Sequence, residues 1–86
     1  MKNKIKEFEV GKFYKVQTKD RKWVFKILKF EYGQFRGICV KESRFENYIN
    51  DSDIFHEPKE SIEIKEMEFL DVKNRVLELL ENKIKS

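Results

Sequence analysis

Hydrophobic and polar side chains alternate near the start of the chain, which is the pattern of a β-strand with two different faces. Within GKFYKVQTK, Tyr14 and Val16 fall on one side of the strand, whereas Lys15 and Gln17 fall on the other. The polar stretch KDRK at residues 19–22 then predicts a turn. This pattern predicts a first strand and the start of a hairpin.

The segment after this turn is rich in aromatic and β-branched residues, which favours a long second strand ending near Tyr32. Its apolar side changes midway, because Trp23 and Ile27 share one parity whereas Leu28 and Phe30 share the other. Such a change predicts a strand that is buried on both faces or bent by a bulge. If the strand bends after Ile27, we expect Leu28 and Phe30 to point inward.

A third strand is predicted to end near Lys41. The stretch YGQ at residues 32–34 indicates a tight turn, and FRGICVK then resumes an extended pattern. Gly37 lies inside this strand, which indicates a bend or a close approach of another backbone. The three strands together predict an antiparallel meander.

The next segment carries weaker signals. A short fourth strand is predicted at residues 45–49 or at residues 53–56, with turns at NDSD and HEPKES. Its apolar anchors are Phe45, Tyr48, Ile49, Ile54 and Phe55. The alternating stretch SIEIKEM then predicts a fifth strand.

The period becomes helical after the fifth strand. Apolar residues at spacings of three and four form one stripe, which consists of Phe69, Val72, Val76, Leu77, Leu80 and Ile84. This stripe predicts an amphipathic helix over residues 67–84. The sequence therefore predicts one domain over residues 1–86 of the mainly β (α+β) class, with about five antiparallel strands within residues 8–65 that form a small barrel or curved sheet, closed or covered by the helix.

The stretch VGKFYKVQTKDRKWVFKILKFEYGQFRGICV, residues 10–40, resembles the first three strands of an SH3-like small β-barrel. The likeness lies in a glycine-led opening strand, a polar loop, a long bent strand, a tight turn and a third strand. The acidic loop and aromatic cluster of the SH3 ligand groove have no counterpart here. The resemblance implies an SH3-like barrel, a fold that serves as a peptide-binding, nucleic-acid-binding or scaffold module.

Charge is divided unevenly along the chain. Residues 1–41 hold twelve Lys or Arg against four Asp or Glu, whereas residues 42–86 hold seven against twelve, so the halves carry +8 and −5 within a net charge of +3. This asymmetry predicts one basic and one acidic surface if the fold keeps the halves on different faces. The alternative is that the two halves neutralise each other across the fold.

Basic residues interleave with aromatic ones in the first three strands. Such a surface suits nucleic acid, because cations neutralise phosphates while aromatic rings stack on bases. The candidate residues for binding nucleic acid or another partner are Lys12, Lys15, Lys19, Arg21, Lys22, Trp23, Lys26, Lys29 and Arg36. The alternatives are that the lysines protect edge strands from aggregation and that Trp23 belongs to the core.

The acidic half offers a competing surface. Its candidate residues are Glu57, Glu60, Glu63, Glu66 and Glu68. A negative surface of this kind imitates nucleic acid and can block a channel lined with Lys and Arg. The alternative is an ordinary solvated surface.

Catalytic and cofactor motifs are missing from the sequence, so we expect a protein that is not an enzyme and that has no cofactor. His56 is the only histidine, and its neighbours Asp51, Asp53 and Glu57 match no EF-hand or zinc spacing. No metal site is therefore predicted. Cys39 is the only cysteine and stands in an apolar run, which favours a buried structural thiol.

Three functional hypotheses remain. The small size, the charge split and the predominance of Lys, Ile, Phe, Asn and Tyr resemble the inhibitors that phages and mobile elements of low-GC bacteria carry, including anti-CRISPR proteins. This resemblance implies a binding protein directed at a host protein or nucleoprotein complex that handles nucleic acid. The alternatives are a small barrel that binds DNA or RNA directly and a protein that sequesters a small ligand such as a nucleotide.

The sequence also predicts the cellular location and the assembly of the protein. The basic start MKNKIKEFEV is followed by no apolar run of a signal peptide, and no stretch approaches the roughly 20 apolar residues of a membrane span. We therefore expect a cytoplasmic protein with no membrane partner. Unpaired strand edges make a homodimer possible.

Overall fold

The computed structural model describes residues 7–85, with side chains described up to Asn82. It has five strands, a short 3₁₀ turn and one helix. In chain order these are β1 (Phe13–Gln17), β2 (Arg21–Glu31), β3 (Gln34–Ser43), β4 (Tyr48–Asp53), the 3₁₀ turn (Pro58–Glu60), β5 (Ile62–Ile64) and α1 (Glu66–Lys85). The mainly β class, with one C-terminal helix, is confirmed.

The five strands form one antiparallel sheet in the order β4-β3-β2-β1-β5. The strands β4 and β5 are its two edges, and the sheet is not closed. An SH3-like barrel is therefore not confirmed. The predicted meander β1-β2-β3 occupies the middle of the sheet.

The β2–β3 hairpin contains the bulge that the change of parity predicted. Ile27 pairs with Gly37 and Lys29 pairs with Arg36, so Leu28 is an extra residue in β2. The predicted inward direction of the next apolar side chains is wrong, because Leu28 is 40% exposed and Phe30 is 56% exposed. The bulge turns them to the surface of the hairpin arm.

The fourth strand lies between the two predicted positions. It spans Tyr48–Asp53 and includes the NDSD stretch that the sequence assigned to a turn. Because β4 is an edge strand, its polar residues keep contact with water while their backbone pairs with β3 on one side. The anchors Phe45 and Phe55 are also wrong, since each is 82% exposed.

The helix packs on one face of the sheet and forms a core that we call the helix-side cluster. Its buried members are Val24, Val40, Ile64, Phe69, Val72 and Val76. The predicted helical stripe supplies Phe69, Val72 and Val76, while Leu80 packs at its margin. Leu77 is more exposed than predicted, and the side chain of Ile84 lies outside the described residues.

The opposite face of the sheet carries a second core, which we call the aromatic cluster. Its buried members are Phe8, Tyr14, Val16, Phe25, Ile27, Cys39 and Ile54. Phe8 arrives from the segment before β1, and its ring lies 4.8 Å from that of Tyr14 and 5.4 Å from that of Phe25. Both faces of β2 are therefore buried, which is one of the two explanations for the change of parity.

No helix in the described part of the chain is both long and apolar enough to cross a membrane.

Candidate nucleic-acid interface

The sheet face that carries Lys22, Val24 and Lys26 is the face on which α1 packs. Val24 is fully buried in the helix-side cluster, while the lysines before and after it lie at the margin of that cluster. The Nζ of Lys26 stands over the ring of Phe13, 5.4 Å from its centre. The helix therefore covers the middle of the basic face that the sequence predicted, and the basic side chains lie at its margins.

Four of the predicted cations are paired with carboxylates. Lys15 Nζ lies 2.8 Å from Glu68 Oε2 in the helix. The other three pairs are Lys12 with Glu63 at 3.6 Å, Lys29 with Glu31 at 3.2 Å and Arg36 with Asp53 at 3.3 Å. Three of these four pairs join the basic and acidic halves of the chain, so neutralisation across the fold accounts for much of the charge split.

Three of the four remaining cations gather at one end of the sheet, while the fourth, Lys26, lies in the middle of β2. Among the described residues, Lys19, Arg21 and Lys22 make no ion pair within 4.0 Å. All three belong to the β1–β2 turn or to the first residues of β2. The Glu42 carboxylate faces Lys22 across the strand pair but is bound by Arg75 through two hydrogen bonds of 2.8 and 3.1 Å.

The β3–β4 loop brings two more residues to this end of the sheet. Ser43 pairs with Arg21, so the following residues Arg44 and Phe45 lie beside the β1–β2 turn. Phe45 is 82% exposed, and the Arg44 guanidinium stands 5.7 Å from the centre of its ring. We call the group Lys19, Arg21, Lys22, Trp23, Arg44 and Phe45 the hairpin patch.

An open cleft of about 320 Å³ lies within the hairpin patch. Its walls are Thr18, Lys19, Asp20, Arg21, Trp23 and Phe45. The cleft therefore combines two aromatic side chains with two cations. Asp20 is the carboxylate in its wall, so the cations outnumber the anions there by two to one.

Hydrogen bonds fix the loop that carries Phe45. The Ser43 hydroxyl donates to the Glu46 carbonyl at 2.7 Å and accepts from the Glu46 N–H at 3.0 Å. The Asn47 Oδ1 accepts from the Ser43 N–H at 3.1 Å. A closed loop of this kind holds the backbone of Phe45 in one conformation, which lowers the entropy of the loop that is lost when a ligand stacks on the ring.

Trp23 joins the patch to the aromatic cluster. Its ring packs 4.8 Å from that of His56, and the Lys41 Nζ lies 5.6 Å from its centre. The ring is half-buried against the core and also lines the cleft, and its role in binding stays a prediction. His56 in turn stacks on Phe25, with the ring planes 12° apart.

The five acidic candidates do not form one surface of free carboxylates. Glu63 and Glu68 are the partners of Lys12 and Lys15. Glu60 accepts a hydrogen bond from the N–H of Glu57 at 2.8 Å. Glu57 also lies 3.3 Å from Lys59, and Glu66 is exposed in the first turn of α1.

Nucleophilic and metal-ligating groups are poorly placed for chemistry. Burial raises the pKa of the Cys39 thiol to about 11, so this group is protonated at neutral pH. Burial lowers the pKa of His56, although the nearby Glu60 carboxylate opposes that shift. Residues 7–82 contain no group of three or more His, Cys, Asp or Glu side chains arranged to hold a metal ion.

Arg44 and Phe45 are the patch residues that sequence reasoning missed as binding residues. Because Phe45 is apolar, the sequence predicts it as an anchor of its segment. Its neighbours ESR and EN are polar and do not continue an alternating pattern, which is the signal that indicates an exposed loop.

Comparison of the chain with protein-family models, curated proteins and solved structures gives no match. The candidate site therefore rests on the geometry of the hairpin patch alone.

Proposed function

We propose that this protein is a non-enzymatic binding protein that contacts nucleic acid through the hairpin patch. The observation that supports the proposal is a cleft lined by Trp23 and Phe45 together with Lys19 and Arg21. These two cations, and Lys22 beside them on the helix side of the sheet, lack ion-pair partners among the described residues. Cations without carboxylate partners are available to phosphates, and exposed rings are available to bases.

The proposal narrows the set of residues that the sequence suggested. Lys12, Lys15, Lys29 and Arg36 are bound to carboxylates, and a phosphate would have to displace those partners. We therefore assign them to stability and assign the contact to the hairpin patch. Under this assignment about three to four phosphates are neutralised, which is a small number and predicts modest affinity with a clear salt dependence.

Anisotropy of labelled DNA and RNA, single-stranded and double-stranded, tests the proposal. Between about 50 and 200 mM salt, three phosphate contacts predict binding weaker by roughly 20- to 40-fold. The variant Lys19→Glu/Arg21→Glu should lose the binding. The absence of binding to every form at low salt would overturn the proposal.

A matched control separates the patch from net charge. Lys59→Glu/Lys65→Glu changes the net charge of the protein by the same amount, from +3 to −1, because each substitution lowers the net charge by two units. Both residues are exposed and lie outside the patch. This control should retain most of the binding. Equal loss in both double variants would show that overall charge, and not the patch, attracts the nucleic acid.

A second candidate function is the mobile-element inhibitor that acts through protein contact. The observation that favours it is an open cleft of about 560 Å³ between β5 and the start of α1, lined by Glu63, Ile64, Lys65, Met67, Glu68 and Asp71. Acidic side chains around the exposed Met67 suit a basic protein surface with an apolar centre. The host target in this case is a complex that handles nucleic acid, in the cytoplasm.

Charge reversal at this second cleft distinguishes the two candidates. Glu63→Lys/Asp71→Lys should abolish capture of the host complex from a lysate if the acidic cleft is the contact, and this capture should survive moderate salt. The same variant should leave nucleic-acid binding intact or strengthen it.

The SH3-like barrel, the homodimer and the bound nucleotide stay predictions. The proposed contact of the hairpin patch with nucleic acid depends on none of them.

A further inference from the structure

We infer that the hairpin patch selects single-stranded nucleic acid by stacking one unpaired base on Phe45, inside the cleft that Trp23 closes on the other side. This inference rests on the proposed function and names its ligand class. It starts from Phe45, an aromatic ring that contributes almost nothing to the core, since it is 82% exposed. The loop backbone that carries the ring is nevertheless fixed by the Ser43 and Asn47 hydrogen bonds.

The size of the cleft agrees with one base. Pockets for small molecules occupy about 300–1,000 Å³, and the cleft at about 320 Å³ is at the lower end of that range. In a duplex, both faces of each base are covered by neighbouring bases. Only a single strand offers a base that can turn into such a cleft without the cost of unstacking and unpairing.

The charges around the cleft are placed for the backbone of the same nucleotide and its neighbours. Lys19 and Arg21 line the cleft next to both rings, and both also line a neighbouring cleft that Lys22 enters from the helix side of the sheet. Arg44 lies over the Phe45 ring, where it increases the positive charge beside a stacked base. Stacking tolerates every base, so we expect little sequence preference.

Titration of a labelled 15-nucleotide single strand and of a duplex of the same sequence tests the inference. At low salt the single strand should bind at least tenfold more tightly than the duplex. Saturation should change the emission of Trp23, which is the only tryptophan and lines the cleft. The change should be absent with the non-stacking polyanion heparin.

Phe45→Ala provides the decisive variant, and Phe55→Ala is its matched control because both phenylalanines are 82% exposed. Loss of one stacked base predicts single-strand affinity lower by about 5- to 150-fold for Phe45→Ala, with little change in duplex affinity. Phe55→Ala should bind like the unaltered protein. Circular dichroism should show that both variants are folded.

The outcomes separate the inference from the proposed function. Equal affinity for the two forms, or a Phe45→Ala variant with unchanged single-strand affinity, would overturn the inference while salt-dependent binding through Lys19 and Arg21 still held. Tighter binding of the duplex would also overturn it. The absence of binding to either form would overturn both.

Discussion

Gly37 lies against the backbone carbonyl of Lys26, so closely that a Cβ atom at position 37 would overlap the carbonyl oxygen. The contact occurs next to the bulge, where β2 and β3 change register. Gly37→Ala should therefore destabilise the protein by about 3 kcal/mol, at the upper end of the cost of overpacking, because the obstacle is backbone and cannot rotate away. Urea unfolding followed by circular dichroism measures this loss.

Gly33→Ala is the control for this prediction. A Cβ at position 33 meets nothing within 4 Å, but Gly33 has a φ of +74°, which disfavours side chains. Its replacement should cost about 1 to 2 kcal/mol. If Gly37→Ala were the milder of the two substitutions, the close approach to Lys26 would be wrong.

Tyr32 is the first central residue of the β2–β3 turn and has a φ of +54°. It is 96% exposed, so burial does not offset the backbone strain. A two-residue hairpin turn with positive φ at both central positions prefers Asn followed by Gly. Tyr32→Asn should therefore stabilise the protein by roughly 0.5 to 1 kcal/mol, visible as a higher urea midpoint with an unchanged slope. A lower midpoint would contradict this account of the turn.

The two aromatic residues of the cleft should differ in their effect on stability. Trp23 is half-buried against the aromatic cluster, so Trp23→Ala should cost about 2 to 3 kcal/mol, below the roughly 3 to 5 kcal/mol of a fully buried aromatic. Phe45→Ala should change stability by less than about 0.5 kcal/mol. Thermal unfolding followed by circular dichroism compares them. Similar midpoints for Trp23→Ala and the unaltered protein would contradict the role of Trp23 in the core.

His56 should make stability depend on pH in a defined window. Burial holds the pKa of His56 below its ordinary 6.5, so the unfolded chain takes up this proton at higher pH than the folded chain does. The free energy of unfolding is therefore full above pH 6.5 and decreases as the pH falls from 6.5 through the folded pKa. Urea unfolding at about pH 7.5 and about pH 5.5 should differ by up to about 1 kcal/mol.

His56→Phe tests this assignment, since a phenyl ring retains the stacking on Phe25 and does not titrate. Its unfolding free energy should change much less between the two pH values. Arg75 holds the pKa of Glu42 below its ordinary 4.5, so the stability that this carboxylate contributes is nearly the same at both pH values and decreases only as the pH falls below 4.5. An equal decrease in the variant and in the unaltered protein would assign the effect to other groups.

Local patterns in the sequence predicted the features that depend on near neighbours. Alternation located β1, the change of parity after Ile27 predicted the bulge, and the glycine at position 37 predicted a close approach. The position of β4 was not predictable in this way, because turn-forming residues such as Asn50 and Asp51 become part of a strand only when β3 supplies a partner.

The candidate site depended on contacts between distant parts of the chain. Lys15 and Lys19 look alike in the sequence, but Lys15 meets a carboxylate 53 residues away and Lys19 has no carboxylate partner among the described residues. Phe45 reaches the patch because Arg21 and Ser43 are neighbours in the sheet. Neither fact follows from periodicity, since both are set by the strand register and by the position of α1.

The burial of both faces of β2 joins the two clusters into one cooperative unit. Phe25 and Ile27 belong to the aromatic cluster, whereas Val24, directly before Phe25, belongs to the helix-side cluster, and β2 has hydrogen-bonded neighbours on both sides. Unfolding of β2 therefore disrupts both clusters together. The amides of β2 should exchange with deuterated solvent only through unfolding of the entire chain, whereas those of the β3–β4 loop exchange through local opening.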